Sequence, residues 1–177
     1  SGVQPPRTRY GLRLQSGVEP PRTRHQGGCV MFSDKGYSAL RRGRVYEVGL
    51  YYHLVFSTRN REPFFTQFNA ARVAVNALRF CDEHKWSKTS AFVIMPDHIH
   101  WLVQAIGKTP DQLVSSVKRH IMKNTEPYVA WNTGYYDRGL RAEEELIDVA
   151  RYIIANPKRA GIVSHVADYP HWDCEYL

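Results

Sequence analysis

No stretch of this chain approaches the roughly 20 apolar residues that a membrane-spanning helix needs, and its N-terminus has no apolar signal core. Those absences predict a protein that has no membrane contact, is not exported and works in the cytoplasm. Cysteine is scarce as well. Cys29, Cys81 and Cys174 are odd in number, far apart and without a C-x-x-C pair. This argues against a disulfide framework or a structural zinc knot and suits a reducing compartment. Acidic residues are the minority charge, 17 against 24 Lys and Arg, for a net charge of +7.

That positive excess is uneven. Residues 1–30 carry Arg7, Arg9, Arg13, Arg22 and Arg24 against Glu19 alone, so four of the seven net charges lie in this tail. The tail also holds a near-duplicate, Ser1-Gly2-Val3-Gln4-Pro5-Pro6-Arg7-Thr8-Arg9 against Ser16-Gly17-Val18-Glu19-Pro20-Pro21-Arg22-Thr23-Arg24. Two copies cannot build a solenoid. With paired prolines and no apolar periodicity they predict a disordered basic tail, read either as translated upstream sequence before Met31 or as a flexible arm holding DNA non-specifically. Residues 31–177 are then one domain, long enough for a proper core.

The pattern from Val48 to Thr58 alternates and is rich in aromatic and branched residues, as a strand should be. Phe68 to His84 reads as a helix. The nearly continuous apolar run Thr89 to Met95 suits a central strand, and Pro96-Asp97 turns it into a second strand, His98 to Gln104. Thr109-Pro110-Asp111-Gln112 marks a helix start, with Thr109 as N-cap, proline at the first position and Gln112 closing a capping box. An extended segment, Tyr135 to Leu140, leads to a helix whose apolar stripe is Leu146, Val149, Ala150, Ile153 and Ile154. The order strand, helix, strand, strand, helix, strand, helix predicts an α+β fold of the ferredoxin-like (RRM-like) kind, an antiparallel sheet with helices packed against it.

Two features carry chemistry. In His98-Ile99-His100 the i, i+2 spacing puts two imidazoles on one face of a strand while Ile99, Trp101 and Val103 face the core. Such a pair is either a metal site or two histidines tolerated on a half-exposed strand. About fifty residues later Tyr152 stands roughly opposite the middle of its helix's apolar stripe, with Asn156 one turn further on beside it. Alone, Tyr152 is an exposed or partner-packed tyrosine. Together, a divalent ion held by His98, His100 and the Asn156 amide oxygen suits phosphodiester attack by Tyr152. The other histidines, His53, His84, His120, His165 and His171, have no partner at ligand spacing and are read as structural; His53, on the first strand, is the one that could neighbour the pair.

From about Tyr46 to Trp172 the chain resembles the REP-associated tyrosine transposases, a branch of the single-tyrosine HUH transposases. The resemblance runs through Tyr52-His53-Leu54-Val55-Phe56-Ser57-Thr58, Met95-Pro96-Asp97-His98-Ile99-His100-Trp101, Tyr136-Asp137-Arg138-Gly139-Leu140-Arg141 and Tyr152-Ile153-Ile154-Ala155-Asn156-Pro157-Lys158-Arg159-Ala160-Gly161. It implies that His98, His100 and Asn156 are metal ligands and that Tyr152 is the nucleophile. Also implied are an HUH endonuclease fold, magnesium or manganese as cofactor, and single-stranded DNA with hairpin-forming palindromic repeats as partner. The resemblance further favours a monomer, associated with the bacterial nucleoid when DNA-bound.

Phenols have a reference pKa of about 10, so a tyrosine nucleophile at neutral pH needs a base or a nearby cation. Attack implies a 5′-phosphotyrosine and a free 3′-hydroxyl, with bond energy conserved and no nucleotide cofactor. Ligand chemistry pulls the other way on the metal, since imidazole favours zinc, iron, nickel or copper over magnesium. Lys118, Arg119 and Lys123 on the second helix, Arg138 and Arg141 before the third, and Lys158 and Arg159 after it are candidate phosphate contacts near the site, or charges that solvate helix faces. Tyr51, Tyr52, Trp131, Tyr135 and Tyr136 are candidate base-stacking residues, or core. Two rival functions stay open: a non-catalytic single-strand binding module, and a metal-dependent hydrolase using activated water.

Overall fold

The computed structural model describes residues 46–140 and 143–177. The basic tail 1–30, Met31 and Arg141 lie outside the described residues.

Strand β1, Tyr51–Ser57, is followed by two short 3-10 turns and helix α1, Phe68–Glu83. Strands β2, Ser87–Met95, and β3, His98–Ala105, form the hairpin expected at Pro96-Asp97. Helix α2, Pro110–Lys123, begins at the capping box read in the sequence: the Gln112 backbone N–H donates to Thr109 Oγ1 and the Thr109 N–H to Gln112 Oε1. Then come β4, Tyr136–Leu140, helix α3, Glu143–Ile154, the four-residue helix α4, Asn156–Arg159, and β5, Trp172–Cys174.

The strands pair antiparallel in the order β4-β1-β3-β2-β5. Without β5 this is the 4-1-3-2 order of a split βαβ sandwich, as the sequence predicts. β5 and α4 were not anticipated: three and four residues are too few to display a period.

Each strand sends alternate residues to opposite faces. On one face Leu54, Phe56, Ile94, Ile99, Trp101 and Val103 pack with Ala74 and Leu78 of α1 and Leu113, Val117 and Ile121 of α2. On the other, Ala91, Val93, Met95, Leu102 and Leu140 pack with Leu146, Ala150, Ile153 and Ile154 of α3. β3 is therefore buried on both sides. His100 is 5% exposed, so the alternative of two histidines tolerated on a half-exposed strand does not describe it. The cause is α3, which lies over β2, β3 and β5 and turns the second face into a core of its own. Cys81 and Cys174 are buried free thiols, pushed up to about 12 and about 11 first by that burial.

Candidate functional site

Cross-strand register assembles a row of polar groups on the face beneath α3. Residues directly opposite share a face. His98 lies between Met95 and Ser57, His100 between Val93 and Val55, and Leu102 between Ala91 and His53, with Arg138 beyond His53. His53, His98 and His100 thus belong to one surface, although 47 residues separate His53 from His100.

The three rings form a chain. His98 Nε2 is 3.1 Å from His100 Nε2, and His100 Nδ1 is 3.1 Å from His53 Nε2. At the other end His98 Nδ1 lies 2.5 Å from Asp97 Oδ1, while Asp97 Oδ2 pairs with Arg61 Nε at 2.8 Å. The His53 and His100 rings stack at 5.3 Å between centroids. Each member of the His98/His100 pair therefore has its Nδ1 engaged by a neighbour, Asp97 or His53, and its Nε2 turned toward the other. This is the arrangement by which an outer partner fixes the tautomer and aim of a ligating imidazole.

The spacing fits a shared ion. Two nitrogen donors about 2.1 Å from one octahedral cation and at right angles to each other lie about 3.0 Å apart. The observed 3.1 Å is close to that separation. Among the described residues no three His, Cys, Asp or Glu side chains gather as a metal site. An ion held there would need its remaining coordination from an amide oxygen, water or phosphate oxygens, which are partners that magnesium and manganese accept.

Burial sets the charge state of the row. Desolvation, then the Arg138 charge, holds the His53 imidazole down at about 4. His100 lies well below the ordinary histidine range, chiefly through desolvation, with His98, His53 and Arg61 adding to it. Both rings are neutral at pH 7, the form that a ligand or its hydrogen-bonded support requires. For Asp97, burial on its own would raise the carboxyl. The His98 hydrogen bond and the His98 and Arg61 charges outweigh it and keep the group below the usual carboxylate range.

Tyr152 lies over this row. Its ring centroid is 6.2 Å from His100 and 6.3 Å from His53, both edge-on, yet the residue stays 42% exposed. Its ring faces the histidines of the interior strands β1 and β3 rather than pointing away from the sheet as the helical period suggested. The Arg159 guanidinium lies 4.8 Å from the Tyr152 ring centre. Asn156, one turn further, donates Nδ2 to the carbonyls of Tyr152, at 3.0 Å, and Ile153, at 3.1 Å. Its Oδ1 is the atom left for a ligand.

The candidate DNA contacts separate. α2 packs on the opposite face of the sheet, so Lys118, Arg119 and Lys123 are not beside the histidines as expected. Which face a helix covers is set by the handedness of its crossover, a property absent from its own sequence. Lys118 also donates to the carbonyls of Asn132, at 2.7 Å, and Gly134, at 3.2 Å, tying down the chain before β4. Arg138 is exposed and pairs with Glu145, and Lys158 and Arg159 are exposed at the end of α4. Of the stacking candidates, Tyr52, Trp131 and Tyr135 are core, while Tyr51 and Tyr136 are half-buried. His53, Asp97 and Arg61 are the members of the cluster that sequence reasoning did not assign. The available signal was a histidine inside an otherwise apolar strand, and a charged residue in the turn leading into the HxH strand.

The chain has relatives. A sequence model of the family described as "Transposase IS200 like" matches residues 46–156. A Haemophilus influenzae protein named "Putative REP-associated tyrosine transposase" is 26% identical over 140 residues, covering 70% of this chain and 78% of its own. A second Haemophilus influenzae protein, uncharacterised, is 22% identical over 143 residues, or 60% of this chain and 79% of its own. Among solved structures, that of a REP-associated tyrosine transposase bound to a REP hairpin superposes with a TM-score of 0.61 at 21% identity, covering 73% of this chain and 79% of that one.

Proposed function

Because the chain belongs to the family of IS200-like transposases, we propose that it cleaves and rejoins single-stranded DNA by tyrosine transesterification, at hairpin-forming palindromic repeats of the REP kind. The observation that carries this reading is the tyrosine ring 6.2 Å from a histidine whose Nε2 converges on that of its neighbour at 3.1 Å. The hairpin partner is taken from the solved relative bound to a REP hairpin.

In this reading His98, His100 and Asn156 would hold magnesium or manganese, and that ion would supply charge neutralisation at the scissile phosphate. Tyr152 Oη attacks the phosphorus. The new Oη–P bond forms as the P–O3′ bond breaks, the phenolic proton leaves the tyrosine, and the departing oxygen takes up a proton as the free 3′-hydroxyl. The 5′-phosphate stays on Tyr152, so the reverse attack by a 3′-hydroxyl rejoins DNA without a nucleotide cofactor. Arg159 puts a positive charge beside the ring as its oxygen loses the proton. Arg138, Lys158, Arg159 and Arg141 are the proposed phosphate contacts, with Lys118, Arg119 and Lys123 ranked behind them. Tyr152 lies over the histidines of its own chain, which supports a monomer acting in cis.

The test is incubation of wild type and Tyr152→Phe with labelled single-stranded hairpin DNA from beside its own gene, with magnesium or manganese, followed by denaturing electrophoresis. The expected result is DNA covalently attached to wild-type protein, lost with EDTA and lost in Tyr152→Phe. Cleavage without attachment would identify a hydrolase, and binding without cleavage a non-catalytic DNA-binding module.

A further inference from the structure

We propose that His53 is a positioning residue for the ion site: it fixes the His100 tautomer that leaves His100 Nε2 free as a ligand. This rests on the metal-dependent reading above and names a residue that reading does not use.

The argument is a proton count along the row. Asp97 accepts from His98 Nδ1–H, so a neutral His98 has its lone pair on Nε2. With all three rings neutral and no ion, one pattern satisfies every contact: His53 Nε2–H donates to His100 Nδ1, and His100 Nε2–H donates to His98 Nε2. With an ion between the two Nε2 atoms, His100 Nε2 must give up its proton. Neutral His100 then carries its hydrogen on Nδ1, whose partner is His53 Nε2 at 3.1 Å. His53 in turn must carry its own hydrogen on Nδ1. Loading the site therefore reverses the direction of the His53–His100 hydrogen bond.

His53 is well placed for this. It is 8% exposed, stacked on His100 and held edge-on by Tyr136 and Tyr152 at 6.1 and 6.3 Å. Water has little access to replace it as acceptor. An apolar residue there orphans a buried His100 Nδ1 lone pair without the ion and a His100 Nδ1–H with it, and the loss of affinity is the amount by which the orphaned N–H donor costs more than the orphaned acceptor. Glutamine, whose Oε1 reaches about as far as Nε2, retains an acceptor.

The experiment is Mn2+ titration, by calorimetry or by the electron spin resonance of free Mn2+, on full-length wild type, His53→Leu, His53→Gln and His100→Ala. Thermal unfolding in EDTA accompanies it as the check of folding. We expect His53→Leu to bind Mn2+ about 10- to 100-fold more weakly, with His53→Gln recovering most of the loss and His100→Ala losing more than either. If His53→Leu binds within about twofold of wild type while His100→Ala does not, His53 is a packing residue and the ion site stands without it. If His100→Ala binds as tightly as wild type, the ion site itself is wrong and the inference falls with it. Should His53→Leu fail to fold, nitrogen NMR of wild type saturated with Mg2+ decides instead. His100 protonated at Nδ1 and coupled across the hydrogen bond to His53 Nε2 is the expected state. Protonation at Nε2, or no such coupling, overturns it.

Discussion

The two faces of the sheet are built from the same strands and are both buried, yet they are sealed by different means. Beneath α1 and α2 the contacts are largely apolar, and the fully buried Trp101 donates its Nε1–H to Thr89 Oγ1 at 2.9 Å. Beneath α3 two imidazoles, His53 and His100, occupy positions that Val55 and Leu102 share beside them. A strand alternation of two residues lets β3 serve both faces at once, with Trp101 in the core on one side while His100 faces Tyr152 on the other. The first face bears most of the hydrophobic stabilisation. The second gives up some of it to keep neutral nitrogen donors out of water.

Breaking the apolar face should have the largest effect. Trp101→Ala removes a fully buried indole and is expected to cost about 3–5 kcal/mol in urea unfolding. A cost under about 1 kcal/mol would mean that this face is not the main source of stability.

Acid should attack the other face. His53 sits at about 4 in the folded protein against about 6.5 unfolded, and His100 is lowered in the same direction. Both groups are depressed histidines, so above about pH 6.5 neither state binds the extra proton and stability is at its full value. Between about 6.5 and about 4 only the unfolded chain takes up the proton. Stability then falls with decreasing pH, by roughly 3 kcal/mol for His53, and its contribution flattens below about 4. Urea midpoints from pH 8 to 4 in EDTA check this. The fall should be blunted in His53→Gln, with His100 and His171, the latter buried against Phe68 of α1 and lowered chiefly by desolvation, contributing in the same direction.

A smaller effect is expected at the support of His98. Asp97→Asn removes the charge that faces both His98 and Arg61. Mn2+ affinity should fall about tenfold, the low end of outer-partner effects, with little loss of stability. An unchanged affinity would leave Asp97 as an anchor for Arg61 only. Smallest of all, Lys118→Met should cost about 1 kcal/mol through its two lost carbonyl contacts and leave the salt dependence of DNA binding as it was. A log–log salt slope lower by about one would instead make Lys118 a phosphate contact and extend the nucleic-acid surface to the apolar face.

What could be read from the sequence was local. The hairpin at Pro96-Asp97, the capping box at Thr109 and Gln112 and the alternation through His98 and His100 each depend on neighbours within four residues. All three appear where their spacing puts them. That His53 could neighbour the pair is legible from its place on the first strand, whereas its bond to His100 depends on the β1–β3 register. The face on which α2 lies is not legible, and it takes Lys118, Arg119 and Lys123 to the side of the sheet away from the histidines. The edge strand β5 escaped for want of length. Physically, the period of a segment reveals which of its own residues go together, whereas the site is made by segments that meet.

One feature of the α3–α4 junction constrains how this protein can vary. Tyr152 and Asn156 are one helical turn apart, and the Asn156 amide caps the carbonyls of Tyr152 and Ile153. An added or deleted residue in that interval would swing Asn156 by about 100° and shift it about 1.5 Å along the axis. The interval thus works as a ruler. Lineages of this chain should keep the number of residues in that interval, with Ile153 and Ile154 held apolar by the core and Ala155 freer to change.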